Sequence, residues 1–131
     1  ISALDIWKKN IIFGNGIKSF RKDCQKIPLH TNRLCSNHPH NYYIEILTET
    51  GIVGLSITFL VIFFFIVFIF KNFIFLNSNN MKSIILLVAT MSLLVEIFPL
   101  KTTGSIFSTA NASYLMLIVS ILLSYKKLRE I

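Results

Sequence analysis

The stretch GIVGLSITFLVIFFFIVFIF, residues 51–70, decides the fold class of this chain. It holds no charged side chain and consists mostly of Ile, Val, Leu and Phe. An α-helix rises about 1.5 Å per residue, so a run of this length crosses the ~30 Å hydrocarbon core of a bilayer. The stretch therefore predicts a membrane-spanning helix that ends at Lys71.

Two more apolar runs follow. The second covers residues 83–100, and the third covers 106–125, where a polar beginning places the secure start of the helix near Ala112. Over 131 residues the chain is 53% hydrophobic with a mean hydropathy of +0.66, as in a membrane protein rather than a soluble domain. We predict an all-α integral membrane protein with about three transmembrane helices. Because three helices make a thin bundle, we expect the C-terminal part of a larger polytopic bundle.

The short loops predict the orientation of these helices. The linker between the first two spans carries Lys71 and Lys82, and the tail, residues 126–131, carries three more basic residues. Basic loops stay in the cytoplasm, so residues 1–50 and the loop 101–111 are expected to face outward. Seven basic residues within 1–50 oppose this rule, and an inverted topology remains the alternative.

The net charge of +7 limits the possible partners. A basic segment beside a bilayer attracts anionic headgroups of membrane lipids or other phosphates. The basic residues form no helical stripe, and the remainder of the chain is apolar. Nucleic acid is therefore not an expected partner.

The first fifty residues form an outward region in which we expect short helices. Apolar spacing predicts one helix over residues 3–13, stopped by the turn Gly14-Asn15-Gly16. The backbone N–H groups of that turn are candidates for holding an anion, with a simple helix stop as the alternative. Residues 21–37 show no periodicity and are expected to be an irregular loop.

Two cysteines lie in this outward region. Ten residues separate Cys24 from Cys35, a span that one disulfide closes in an oxidising compartment. Two free thiols are a second possibility. Zinc is a third, because Cys35, His38 and His40 with Cys24 or His30 supply enough ligand types, although the spacing is not a familiar zinc pattern.

A histidine precedes the long apolar run. His40-Asn41 is followed by Gly51 and Gly54, and a continuous helix would place His40 about three turns above Gly51 on the same face. A neutral imidazole accepts a proton near neutral pH, and the glycines let another helix or a lipid-linked ligand approach closely. A histidine near a helix start is also commonly a cap or a hydrogen-bonded bystander.

This string resembles the H-[N/S/Q]-x9-G-x-x-G signature of the O-antigen ligase and polymerase superfamily. These are integral-membrane glycosyltransferases that use polyprenyl-diphosphate-linked glycans. The flanking sequence is also similar to that of the family, in Trp7, Gly14-Asn15-Gly16 and Phe20-Arg21 before the motif and in Phe98-Pro99, Thr102-Thr103-Gly104 and Phe107 after it.

The resemblance implies a metal-independent, inverting transfer without a cofactor, at the periplasmic face of the bacterial inner membrane. His40 would be the general base, and the acceptor would be a hydroxyl of a glycan, lipid or protein. The substrate-binding candidates, chiefly for the donor diphosphate, are Arg21, Arg33, Lys18, Lys22 and Asn41. The family also uses arginines in an earlier outward loop. This chain lacks that loop, so we expect its site to be incomplete. Ligase, repeat-unit polymerase and protein O-glycosyl ligase are not distinguished.

Two other functions remain open. A non-enzymatic membrane module would bind anionic lipid or partner subunits through its basic loop. A transporter fragment would place Glu96, which lies in the second apolar run, on an ion path. Because Glu96 is one turn from Pro99 and Lys101, its side chain is expected to reach the outer interface instead.

Overall fold

The computed structural model describes residues 2–26, 36–73, 81–100, 102 and 104–129, and this part of the chain contains helices and no strand. The prediction of an all-α fold is confirmed for these residues. The helices are α1 (Ser2–Trp7), α2 (Phe20–Gln25), α3 (Tyr42–Phe73), α4 (Met81–Glu96) and α5 (Thr109–Arg129).

Among the residues that the structure describes, one helix is long and apolar enough to cross a membrane. Within α3 this segment is Tyr42–Lys71, which is 30 residues long and contains the predicted run 51–70. The apolar parts of α4 and α5 are shorter, Ser83–Glu96 and Thr109–Ser124. Crossing by α4 and α5 therefore stays a prediction.

The ends of α4 and α5 differ from the predicted bounds for local reasons. Helix α4 ends at Glu96 rather than near residue 100, because a proline disfavours helical backbone in the residue before it, here Phe98. Helix α5 begins at Thr109, before Ala112, because the Ser108 hydroxyl accepts a hydrogen bond from the Asn111 N–H at 3.3 Å. A serine in this place caps the start of a helix.

Two apolar clusters hold the helices together. The larger lies between α4 and α5, where Phe65, Phe68 and Ile69 of α3 pack against it; its buried members are Leu86, Ala89, Leu93, Ile118 and Leu122. The smaller joins α1 to α2 through Ala3, Ile6, Phe20 and Cys24. Many apolar side chains of α3, such as those of Phe63 and Phe64, are exposed, as expected of a surface that meets lipid or other helices.

Two predictions for the first fifty residues are wrong. Helix α1 ends at Trp7 and not at Phe13, because the carbonyls of Ile11 and Ile12 accept hydrogen bonds from α3 instead of continuing a helix. Helix α2 lies where an irregular loop was expected. It is a single short helix that buries Phe20 and Cys24, four residues apart, and such a short pattern gives no detectable period.

Candidate active site

Helix α3 is broken at Gly51. The backbone of this residue has φ 69° and ψ −166°, which is outside the helical region. The continuous helix that would place His40 above Gly51 on one face is therefore not present. The helix begins at Tyr42, and His40 precedes it with φ 58°.

The loop after α1 fills this break. The N–H groups of Asn15 and Gly16 donate to the carbonyls of Thr48 at 3.1 Å and Glu49 at 2.9 Å. On the other side of Gly51, the N–H groups of Ile52 and Val53 donate to the carbonyls of Ile11 and Ile12, at 3.0 and 3.2 Å respectively. The backbone groups that a broken helix leaves unpaired are thus satisfied by the loop.

The same bonds change the interpretation of the glycine turn. The N–H groups of Asn15 and Gly16 bind α3, and that of Gly14 donates to the Asn10 carbonyl at 3.0 Å. These three N–H groups are therefore already engaged, and the anion-binding hypothesis for the turn is wrong.

At both glycines of the G-x-x-G motif a side chain would clash, and the clashing partner differs between the two positions. A Cβ on Gly51 would lie against the Ile12 carbonyl and 2.6 Å from the Gly14 nitrogen. A Cβ on Gly54 would overlap the side chain of Thr50, whose hydroxyl donates to the Ile46 carbonyl at 2.7 Å. Gly51 makes the break, and Gly54 leaves room for the side chain that the break turns inward.

Asn41 caps the start of α3. Its Oδ1 accepts hydrogen bonds from the N–H groups of Tyr43 at 3.0 Å and Ile44 at 3.2 Å. Its Nδ2 donates to the Pro99 carbonyl at 2.6 Å, which ties the cap to the segment after α4. Both polar atoms of the side chain are used within the protein, and its substrate-binding role stays a prediction.

Two tyrosines join the start of α3 to the end of α4. The Tyr42 hydroxyl donates to Glu96 Oε1 at 2.6 Å, and the Tyr43 hydroxyl donates to the Ile97 carbonyl. Tyr42 is buried. Glu96 therefore has a defined partner inside the protein, which is a structural reason for a carboxylate at the end of an apolar helix.

Two buried carboxylates anchor the loops around α3. Glu45, 3% exposed, accepts hydrogen bonds from the Ser105 hydroxyl at 2.6 Å and the Ile106 N–H at 2.8 Å. Glu49, 2% exposed, accepts one from the Lys18 N–H at 2.5 Å. Glu45 thus holds the α4–α5 loop, and Glu49 holds the loop before α2.

These anchors enclose a polar cavity of about 290 Å³. It is lined by Lys18, Arg21, Asn37, His38, Glu45, Glu49, Ser105 and Ser108. Two cationic side chains, two carboxylates and two hydroxyls converge here, a set that suits a ligand bearing both hydroxyl and phosphate groups. We call this space the polar cavity.

Of the predicted site residues, Lys18 and Arg21 line the polar cavity. His40 is exposed beside it, and its ring lies 4.3 Å from the ring of His38, which does line it. Lys22 is exposed on α2 and is not part of the lining.

The predictions for the cysteine pair and for Arg33 depend on residues that the structure does not describe. Arg33 and Cys35 both lie outside them, as does His30 of the zinc alternative. Cys24 is buried, and its pairing with Cys35 stays a prediction. Among the described residues, no group of three His, Cys, Asp or Glu side chains is placed to hold a metal ion.

Most of the residues that line the polar cavity were not predicted from the sequence. His38 was considered only as a possible zinc ligand, and Glu45 and Glu49 were not predicted as site residues. Their four-residue spacing does put both carboxylates on one face, a usable signal. Ser105 and Ser108 carried no signal, because their position depends on contacts with a helix sixty residues away.

An apolar cavity of about 360 Å³ lies beside the polar one, between α3, α4 and α5. Tyr42, Tyr43 and Ile106 are at its polar end, and Ile57, Val61 and Met116 are among the apolar side chains that line the rest. Glu45, which lines the polar cavity, accepts a hydrogen bond from the N–H of Ile106, which lines the apolar cavity. We call this second space the apolar cavity.

Comparison with known proteins gives one match. The family model of O-antigen ligase matches residues 1–59, a segment that contains the glycine turn, Arg21, the His-Asn pair and both motif glycines. No curated protein and no solved structure matches the chain. The match ends within α3 and supports an enzyme of the ligase or polymerase type. The match over residues 1–59 thus supports the resemblance to the O-antigen ligase and polymerase superfamily that the His-Asn and glycine motif indicated.

Proposed function

We propose that this chain is part of a multi-pass glycosyltransferase of the bacterial inner membrane. It would transfer or polymerise saccharide from a polyprenyl-diphosphate donor at the periplasmic face. The observation that carries the proposal is the polar cavity, where Lys18 and Arg21 meet next to the two histidines that precede α3.

Lys18 and Arg21 are the groups of the cavity that can bind a diphosphate, and two carboxylates of opposite charge lie beside them. Glu45 and Glu49 are engaged with Ser105, Ile106 and the Lys18 N–H, so they serve to hold the surrounding loops. Arg21 makes no ion pair with any residue that the structure describes. Its guanidinium is therefore available for phosphate oxygens, which it binds through paired N–H groups.

The two cavities together suit an amphiphilic donor. A polyprenyl diphosphate joins a long apolar tail to a doubly charged head. The two cavities are adjacent where Glu45 of the polar one accepts the hydrogen bond of Ile106, which lines the apolar one. The tail would occupy the apolar cavity while the diphosphate head reaches the polar one. Burial of each CH₂ group of the tail contributes about 0.8 kcal/mol.

The chemical step needs one base and one charged leaving group. His40 accepts the proton of the acceptor hydroxyl while the hydroxyl oxygen attacks the anomeric carbon. The bond from that carbon to the diphosphate oxygen breaks, and the electron pair leaves with the polyprenyl diphosphate, so the anomeric configuration inverts. Arg21 and Lys18 stabilise the charge that develops on the leaving group, and a positioned base contributes about 10²–10⁴-fold.

The test is His40→Ala in the full-length protein. We expect loss of glycan transfer at a normal level of membrane-inserted protein, measured as surface glycan in cells and as product formed from a purified lipid-linked donor. Lys22→Ala is the matched control, because this cation is exposed outside the cavity. Unchanged transfer in His40→Ala would contradict the proposal.

A further inference from the structure

Gly14 and Gly51 approach each other backbone to backbone. A Cβ on Gly51 would lie 2.6 Å from the Gly14 nitrogen, and one on Gly14 would lie 2.5 Å from the Thr50 nitrogen and the Glu49 carbonyl oxygen. Both residues have positive φ, at 71° and 69°. A side chain on Gly51 would thus meet the backbone of the loop at Ile12 and Gly14, and one on Gly14 would meet the backbone of α3 at Glu49 and Thr50.

This contact joins two segments that carry site residues. The four backbone hydrogen bonds around Gly51 hold residues 11–16 against α3. Lys18 follows two residues after this loop, and its N–H bonds to Glu49 of α3. Arg21 lies one residue into α2, so its place over the cavity depends on where the loop docks.

We infer that Gly14 and Gly51 are positioning residues, which set Arg21 and Lys18 at a fixed distance from the His-Asn end of α3. The inference rests on the proposed function, because it assigns the glycine pair a role in binding the donor diphosphate. For the second glycine of the motif, Gly54, the nearest atoms that an added Cβ would meet belong to Thr50 of the same helix and not to the loop.

The docking of the loop on α3 can be tested by hydrogen exchange, without an activity assay. Gly14→Ala adds a Cβ where Glu49 and Thr50 lie, whereas Gly16→Ala adds one with nothing within 4 Å. Gly16 also has positive φ, at 100°, so both variants carry left-handed strain and only Gly14→Ala has the clash. We expect faster hydrogen exchange at the Ile52 and Val53 amides in Gly14→Ala and not in Gly16→Ala. Equal exchange in the two variants overturns the docking role.

A double-mutant cycle tests the coupling to the donor site. In the wild-type background we expect Arg21→Ala to lower kcat/KM for the lipid-linked donor by about 10- to 100-fold, as for a lost charged hydrogen bond. In the Gly14→Ala background the same change should cost less than about threefold, because Arg21 is already displaced. A variant that only lowered the amount of folded protein would leave the Arg21 factor unchanged.

The results of the cycle distinguish the positioning role of the glycine pair from the proposed function. An Arg21 factor that is the same in the Gly14→Ala and wild-type backgrounds overturns the positioning role while the proposed function stands. An Arg21→Ala variant with wild-type kcat/KM contradicts the proposed donor site and the coupling together, and the exchange measurement still decides whether the glycine pair docks the loop. Gly16→Ala should keep the full Arg21 factor.

Discussion

The Tyr42 hydroxyl donates a hydrogen bond of 2.6 Å to Glu96, and this bond joins the first residue of α3 to the last residue of α4. Tyr42→Phe removes the donor and should lower the free energy of unfolding by about 1.5–3 kcal/mol, as for a hydrogen bond to a charged group. The measurement is thermal unfolding of the purified protein in detergent. Glu96→Gln keeps a carbonyl oxygen as acceptor and should cost less than Glu96→Ala.

The Glu96→Gln variant also distinguishes the transporter hypothesis from the proposed function. If Glu96 serves α3–α4 packing, Glu96→Gln leaves glycan transfer near the wild-type rate. Proton- or ion-coupled uptake that disappears in Glu96→Gln would instead favour a transporter and count against the glycosyltransferase assignment.

Asn41 is expected to act through its cap. Asn41→Ala removes the Oδ1 that binds the Tyr43 and Ile44 N–H groups and should lower the free energy of unfolding by about 0.5–2 kcal/mol. Asn41→Ser keeps a capping oxygen and should be more stable than the alanine variant. Thermal unfolding of both variants checks this. A serine variant that is stable yet has lost donor binding would show a direct contact between Asn41 and the substrate.

His38 should matter for substrate binding because its side chain lines the polar cavity. We expect His38→Ala to raise the donor KM or the acceptor KM by about tenfold, the loss of one ordinary hydrogen bond at about 1.4 kcal/mol. His40→Ala should lower kcat by about 10²–10⁴-fold, as for a lost general base. Steady-state kinetics on the two variants distinguishes these effects. A larger kcat loss in His38→Ala than in His40→Ala would reassign the base.

The apolar cavity should select for the length of the lipid tail. Ile57→Trp fills part of this cavity and should raise KM by about tenfold for long polyprenyl donors, since each CH₂ kept out of an apolar site costs about 0.8 kcal/mol. Donors with short tails should show no such change. Leu60→Trp is the matched control, because Leu60 is an exposed residue of the same helix that does not line the cavity. An equal effect of both variants would argue against tail binding there.

Patterns that depend on neighbours in sequence predicted much of the fold. The uncharged run 51–70 predicted the core of α3, and two shorter apolar runs predicted α4 and α5 to within a few residues at most ends. A turn at Gly14-Asn15-Gly16 was predicted, although the helix expected to reach it ends at Trp7. Its partner was not predicted, because the bond from Gly16 to Glu49 spans more than thirty residues.

The candidate site was predicted in part. The motif placed His40 and Asn41 beside the start of α3, and the basic loop supplied Lys18 and Arg21 to the cavity wall. The break at Gly51 could not be predicted from periodicity, since a glycine within an apolar run is also tolerated in a helix. The wall formed by Ser105 and Ser108 depends on tertiary contacts of Glu45, for which no local pattern exists.

The break at Gly51 also bears on how α3 would sit in a bilayer. The whole segment Tyr42–Lys71 would be about 45 Å long as a straight helix, well beyond a hydrocarbon core of ~30 Å, whereas the part after Gly51 is close to that thickness. A helix cannot interrupt its hydrogen bonds inside hydrocarbon unless other groups satisfy the freed amides and carbonyls. The loop 11–16 supplies those groups from the protein itself. For the proposed span, the part after Gly51 therefore matches the hydrocarbon thickness, and the break lets the more polar part, Tyr42–Thr50, take its own direction at the membrane surface, where a lipid-linked head group resides.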